Sequence, residues 1–201
     1  MCDQLSRDET PVASALAIRD GKPEAIFVGS SVLGHLLGSA LLEDTAEPEV
    51  ADHLKQFILS ETMLGAGGVR SLQRTAQRYR PSAYHNGSVW LWETAAISVR
   101  LWRMGDAANA RLLAARVQGA CAAFHGFPEF VRSNDKLQFN KRVVEVYDSA
   151  NERINKIEQP AQHIQTWTVA RLLAIRSLQI LEGSNPDQFP LPGSEAIPED
   201  R

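Results

Sequence analysis

The chain contains few cysteines and no long apolar run. Only Cys2 and Cys121 occur among 201 residues, so a disulfide framework is not expected. The longest apolar runs, such as residues 25–28, are far too short to cross a bilayer. No charged segment followed by an apolar one opens the chain in the manner of a signal peptide. We therefore expect a cytoplasmic protein of one domain that has no membrane partner.

An excess of basic charge is also lacking. Lys and Arg number 21 against 24 Asp and Glu, a formal net charge of −3, and the arginines are spread along the chain. This balance gives no reason to expect a nucleic-acid partner. The five histidines are scattered without metal-ligand spacing, so no metal site is expected. No nucleophile elbow and no phosphate-binding loop with a Lys-Ser/Thr pair is present, and we expect no cofactor.

The most informative segment that is present covers residues 80–93, RPSAYHNGSVWLWE. Flat aromatic faces stack on sugar rings, while amide, imidazole and carboxylate groups hydrogen-bond to hydroxyls. The Asn86-Gly87 pair predicts a tight turn, because both residue types tolerate positive φ. Apolar periodicity then predicts a helix over 88–104. The polar cluster would lie on a loop that leads into a helix N-terminus, which is a common place for a ligand site.

Similar periodicity predicts four more helices. They cover roughly residues 31–42, 48–60, 106–125 and 162–181. Alternating, β-branched residues over 142–157 predict a β-hairpin. Residues 1–24 are expected to be loosely structured, and residues 183–201, rich in proline and acidic side chains, to be a disordered tail.

Four motifs in the same order carry a resemblance to a known family. They are YHNGSVW at 84–90, VGSSVLGHLL at 28–37, GAGGVRSL at 65–72 and QHIQTWTVA at 162–170. Together they resemble the C-terminal part of the glycogen-debranching-type amylo-alpha-1,6-glucosidase and mannosylglycerate-hydrolase-like domain, over residues 25–182. The resemblance implies an all-α fold, the C-terminal half of a six-fold α/α toroid with a small β-hairpin insertion. It also implies that an N-terminal-half partner chain, or self-association, would cover the exposed helix faces.

The same resemblance implies an inverting glycoside hydrolase, which needs a proton donor and a carboxylate that activates water. The FPEF segment at 127–130 matches the family's base, which makes Glu129 the expected general base; the alternative is an ordinary solvated loop glutamate. Glu145, in EVYD at 145–148, is the runner-up, although alternation places it on the exposed face of the hairpin. The family's proton donor lies in the N-terminal half, for which this chain has no matching segment.

The resemblance also assigns residues to a saccharide pocket. Glu93 would bind sugar hydroxyls or neighbouring loops, or would only favour the helix dipole. At most one of Trp90 and Trp92 is expected to face the pocket, and Trp90 is preferred. The full expected set of substrate-binding residues is Tyr84, His85, Asn86, Trp90, Glu93, Trp167 and Arg70.

Two functions follow as expectations. The first is the C-terminal part of an inverting glycoside hydrolase that acts on alpha-glucosidic bonds in an oligosaccharide or glycoside. The second is a non-catalytic carbohydrate-binding or assembly module, which would keep the aromatic pocket without the chemistry.

Overall fold

The computed structural model describes residues 12–40, 42, 48–139, 143–148, 150–158 and 161–183. Within these ranges, four α-helices and one 3₁₀ helix alternate with nine short strands. The 3₁₀ helix covers Ser31–Leu36, and the α-helices are α1 Pro48–Ile58, α2 Leu91–Arg103, α3 Ala107–Ala123 and α4 Thr166–Leu181. None of these helices is long and apolar enough to cross a membrane.

Helix α2 lies at the centre and packs against both α3 and α4. Nine of its thirteen residues are buried, so it has no broad polar face, as expected for a helix enclosed by its neighbours. Ile97 and Leu101 belong to a core cluster that includes residues of the 3₁₀ helix and α1. Ala95 and Val99 belong to a second cluster that includes residues of α3 and α4. Both halves of the core therefore meet on α2, whose first turn enters the site described below.

The strands form four small antiparallel sheets in the described ranges. Two are hairpins of five- and six-residue strands, β1 Ala15–Arg19 with β2 Lys22–Ile26 and β8 Val143–Asp148 with β9 Arg153–Glu158. A third is the short pair β3 Leu64–Gly65 with β4 Gly68–Val69. The fourth has three strands, β5 Val89–Trp90, β6 Phe130–Arg132 and β7 Gln138–Phe139. The β8–β9 hairpin confirms the prediction for 142–157.

The prediction of an all-α half toroid is wrong. The described chain is a mixed α/β structure in which the loops between the helices pair as small sheets. Strands of two or three residues are too short to show an alternating pattern. In addition, the β5–β6 pairing joins Val89 to Val131, so the local sequence of neither strand predicts it.

One hairpin lies inside the segment expected to be loose. The turn between β1 and β2 has positive φ at Asp20 (49°) and Gly21 (74°), which is the geometry that an Asp-Gly hairpin turn prefers. The Asp-Gly dipeptide is thus a local signal for this turn. The expectations of a loose start and a disordered tail also depend on residues 1–11 and 184–201. Both ranges lie outside the described residues.

The helix expected over 88–104 begins later, at Leu91, because Val89 and Trp90 form strand β5. Trp90 is paired with Phe130 in β6. This pairing places the segment before α2 beside the segment that carries Glu129, and it is the feature of the fold that assembles the site.

Candidate functional site

A cleft of about 620 Å³ lies where the 3₁₀ helix, the loop before β5, the first turn of α2 and the segment before α4 meet. It brings together seven of the nine site residues expected from the sequence. These are Tyr84, His85, Asn86, Trp90, Glu93, Glu129 and Trp167. Residues separated by more than 80 positions along the chain therefore share one concave surface.

Glu129 is buried, with 7% of its surface exposed, and its carboxylate has two protein donors. The Tyr84 hydroxyl donates to Glu129 Oε1 at 2.7 Å. The backbone N–H of Gln162 donates to Oε2 at 3.2 Å. The two donors hold the carboxylate in a defined orientation, and each oxygen keeps a lone pair that can accept from water.

Tyr84 is the side chain that orients Glu129. Burial, the hydrogen bond to Glu129 and the charge of Glu129 together raise the pKa of Tyr84 to about 12. The phenol therefore stays protonated at neutral pH and acts as a donor. Its ring contacts Trp90 edge to face, with centroids 4.6 Å apart.

Replacing Tyr84 by phenylalanine should lower the free energy of unfolding by about 1–2 kcal/mol at neutral pH, because a partly buried carboxylate loses a donor. The pKa of Tyr84 is about 12 in the folded chain, above the ordinary value of 10.0. The stabilisation is therefore complete below pH 10 and is lost as the pH rises from 10 toward 12. Urea denaturation at several pH values would measure this, and a wild-type advantage that stays constant from pH 7 to 11 would contradict it.

Glu93 lies in the first turn of α2 and is 8% exposed. Ser31 Oγ donates to its Oε2 at 2.6 Å, and His35 Nε2 lies 3.5 Å from its Oε1. Glu93 therefore contacts two residues of the 3₁₀ helix. The His35 ring is stacked on Trp92 at 5.9 Å.

Trp90 and Trp92 both line the cleft, which corrects the expectation that at most one of them would. That expectation assumed a helix at both positions, whereas Trp90 ends a strand and Trp92 is in the first helical turn. Trp90 Nε1 donates to the Tyr84 carbonyl at 2.7 Å, and the His85 ring lies parallel to Trp90 at 5.4 Å. Trp167 is 62% exposed and meets Trp92 edge to face at 5.5 Å.

The turn that presents these rings requires a glycine at position 87. Gly87 has φ 153°, and a Cβ there would lie 2.1 Å from the Arg80 carbonyl oxygen. Its N–H donates to Ser71 Oγ at 2.9 Å. Positive φ is found at Gly87 and not at Asn86. The turn conformation therefore does not need an asparagine at position 86. The Asn86 amide side chain lines the cleft.

Arg70 and Glu145 are not among the residues that line the cleft. Arg70 is 1% exposed, and its guanidinium donates to the carbonyls of Ser133 (3.2 Å), Glu61 (2.9 Å) and Leu64. It therefore anchors two loops to each other. Glu145 accepts from Ser82 Oγ at 3.3 Å and so attaches the β8–β9 hairpin to the loop that precedes Tyr84.

Several cleft residues were not anticipated from the sequence. Ser31, Arg78 and Gln165 line the cleft. Ser31 and Gln165 belong to the motifs at 28–37 and 162–170 but were not assigned to the pocket, and Arg78 lies outside all four motifs. Among the described residues, no group of three His, Cys, Asp or Glu side chains could hold a metal ion.

The cleft thus combines aromatic faces, hydrogen-bonding groups and two buried carboxylates. No model of a known protein family matches this chain, and no curated protein matches its sequence.

Proposed function

We propose that the cleft binds a saccharide and that this chain is the C-terminal part of an inverting glycoside hydrolase acting on alpha-glucosidic bonds, with Glu129 as its general base. The observation that carries the proposal is the Glu129 carboxylate, held by Tyr84 and the Gln162 N–H in a cleft lined by aromatic rings. The cleft volume lies in the usual range for small-molecule sites.

The aromatic side chains provide the surface for the sugar rings. The exposed His85 ring, which is stacked on the buried Trp90, and the Trp92–Trp167 pair offer flat ring faces, which suit the C–H faces of a pyranose. Asn86, Arg78 and Gln165 line the same cleft and supply hydrogen-bonding groups for hydroxyls. This combination of apolar faces and a few convergent polar groups is typical of ligand sites.

In the proposed reaction, a water oxygen attacks the anomeric carbon while Glu129 takes one of its protons. The bond from the anomeric carbon to the leaving oxygen breaks, that oxygen takes a proton from an acid, and the configuration inverts. Glu129 keeps acceptor capacity on both oxygens. Tyr84, whose pKa is raised to about 12, remains a donor and keeps the carboxylate oriented toward water.

The acid is the part of the reaction for which the described cleft has no candidate. Ser31 Oγ donates to Glu93 Oε2, and His35 Nε2 lies 3.5 Å from its Oε1, so both oxygens of Glu93 already face neighbouring side chains. Glu93 and Glu129 are the only acidic residues among the described cleft-lining residues. We propose that a partner chain or another segment provides the acid.

The lack of a candidate acid in the described cleft favours a second function, a non-catalytic carbohydrate-binding or assembly module. A cleft that binds saccharide without a resident acid would retain affinity but not turnover. The two candidates share the binding step and differ in whether Glu129 performs chemistry.

We place the protein in the cytoplasm. The thiol of Cys121 is buried, and burial raises its pKa to about 12, so it is protected from oxidation and thiol exchange. A buried thiol of this kind is compatible with a reducing compartment and with substrates of intracellular carbohydrate metabolism.

Replacing Trp167 by alanine should weaken maltooligosaccharide binding about tenfold, the size expected from one lost aromatic contact. Because Trp167 is 62% exposed, the substitution should leave folding intact. Isothermal titration calorimetry of the purified chain would measure the affinity.

Trp102→Phe is the matched control for this substitution. Trp102 packs against the cluster shared by α1 and the 3₁₀ helix, away from the residues that line the cleft. The substitution should therefore leave the affinity for maltooligosaccharide unchanged. Failure of the wild-type chain to bind any glucose-containing saccharide would refute the proposed function.

A further inference from the structure

A second cavity of about 370 Å³ adjoins the cleft. Trp92 and Trp167 line both spaces, so this pair of rings is the boundary that the two spaces share. The remaining lining residues, Ala170 and Arg171, follow Trp167 by three and four positions on α4. That spacing places all three side chains on one face of the helix.

The second cavity has a positive charge from Arg171, which lines it and is exposed. Burial, followed by the charges of Arg103 and Arg171, lowers the pKa of Arg100 in the last turn of α2. Within the described ranges, neither Arg103 nor Arg171 forms an ion pair with a carboxylate.

The cleft itself has the opposite charge. Glu93 and Glu129 are both buried in its wall and outnumber its one arginine, Arg78, whereas Arg171 is the only charged residue among the described residues that line the second cavity. Trp92 and Trp167 therefore separate a cleft with two carboxylates from a cavity with a guanidinium. A ligand that spans both has an uncharged sugar ring at one end and an anionic group at the other.

We propose that the second cavity binds the acidic substituent of a saccharide whose ring lies in the cleft. The shared chemistry is an oxyanion, either a phosphate or a carboxylate, which a guanidinium binds through paired N–H groups. This inference rests on the proposed function, since it requires a saccharide in the cleft.

The test compares glucose, glucose 6-phosphate and glucuronic acid by isothermal titration calorimetry at low and high salt. We expect at least one acidic sugar to bind about fivefold more tightly than glucose, the size of one favourable exposed ion pair. High salt should reduce this preference. Arg171→Gln should abolish it, and Arg171→Lys should retain part of it. Arg176→Gln, on the same helix but outside the residues that line the cavity, is the control and should retain all of it.

The outcomes separate the two proposals. Equal affinity for glucose and both acidic sugars would overturn this inference and leave saccharide binding in the cleft intact. A preference that persists in Arg171→Gln would also overturn it, because the oxyanion would then bind elsewhere. Absence of binding by all three sugars would remove the proposed function and this inference with it. A gain with only one acidic sugar would support the inference and identify the substituent.

Discussion

Fluoride release from α-D-glucosyl fluoride should fall about 1000-fold when Glu129 is replaced by glutamine, the size expected for loss of a general base. Fluoride leaves without being protonated, so this substrate tests the base even if the acid comes from another chain. Glutamine can be accommodated at this position, because its amide oxygen can accept from the Gln162 N–H while its NH₂ group donates to the Tyr84 hydroxyl. The loss should therefore be in kcat and not in folding.

Glu145→Gln is the control for that experiment. Glu145 is the other glutamate considered as base, and it bonds to Ser82 outside the cleft lining, so its variant should keep the wild-type rate. If Glu145→Gln removed the activity and Glu129→Gln did not, the assignment of the base would be wrong. If the wild-type chain bound glucose but released no fluoride, the non-catalytic module would be the better description.

Replacing Arg70 by methionine should lower the free energy of unfolding by about 3–5 kcal/mol, because a buried charged donor is lost and its acceptors are left unpaired. The substitution leaves the carbonyls of Ser133, Glu61 and Leu64 without the guanidinium that joins them. Methionine fills a similar space with apolar atoms, so the change reports mainly the lost hydrogen bonds. The midpoint of urea denaturation would measure it.

Arg74→Met provides the comparison on the same loop. Arg74 is 58% exposed and lies 3.6 Å from the carboxylate of Asp135, which Arg70 also faces at 3.7 Å. An exposed pair of this kind contributes less than about 1 kcal/mol. Equal stability of the Arg70 and Arg74 variants would contradict the structural role of Arg70. If Arg70→Met lost saccharide binding but kept its stability, the binding role that the sequence predicted for Arg70 would be restored.

Elements that depend on local interactions were predictable from the sequence. Helices α1 and α3 and the hairpin at 143–158 lie within a few residues of their predicted ranges, because periodicity and capping act between residues close in the chain. Asp106 caps α3, since its carboxylate accepts from the Asn109 N–H at 3.2 Å. The turn at Asn86-Gly87 is also a local signal, so the residues around it could be singled out as a possible ligand loop.

The sequence by itself therefore determined where most helices form, that Asn86-Gly87 marks a turn, and which residue types a saccharide site could use. Only the tertiary structure decided that short strands pair between the helices, that Arg70 anchors loops, and that both tryptophans of the WLW segment line the cleft. The pairing of Trp90 with Phe130 joins segments 40 residues apart and places Glu129 beside Tyr84. Contacts of that range depend on how the whole core packs, so no local pattern in the chain specifies them.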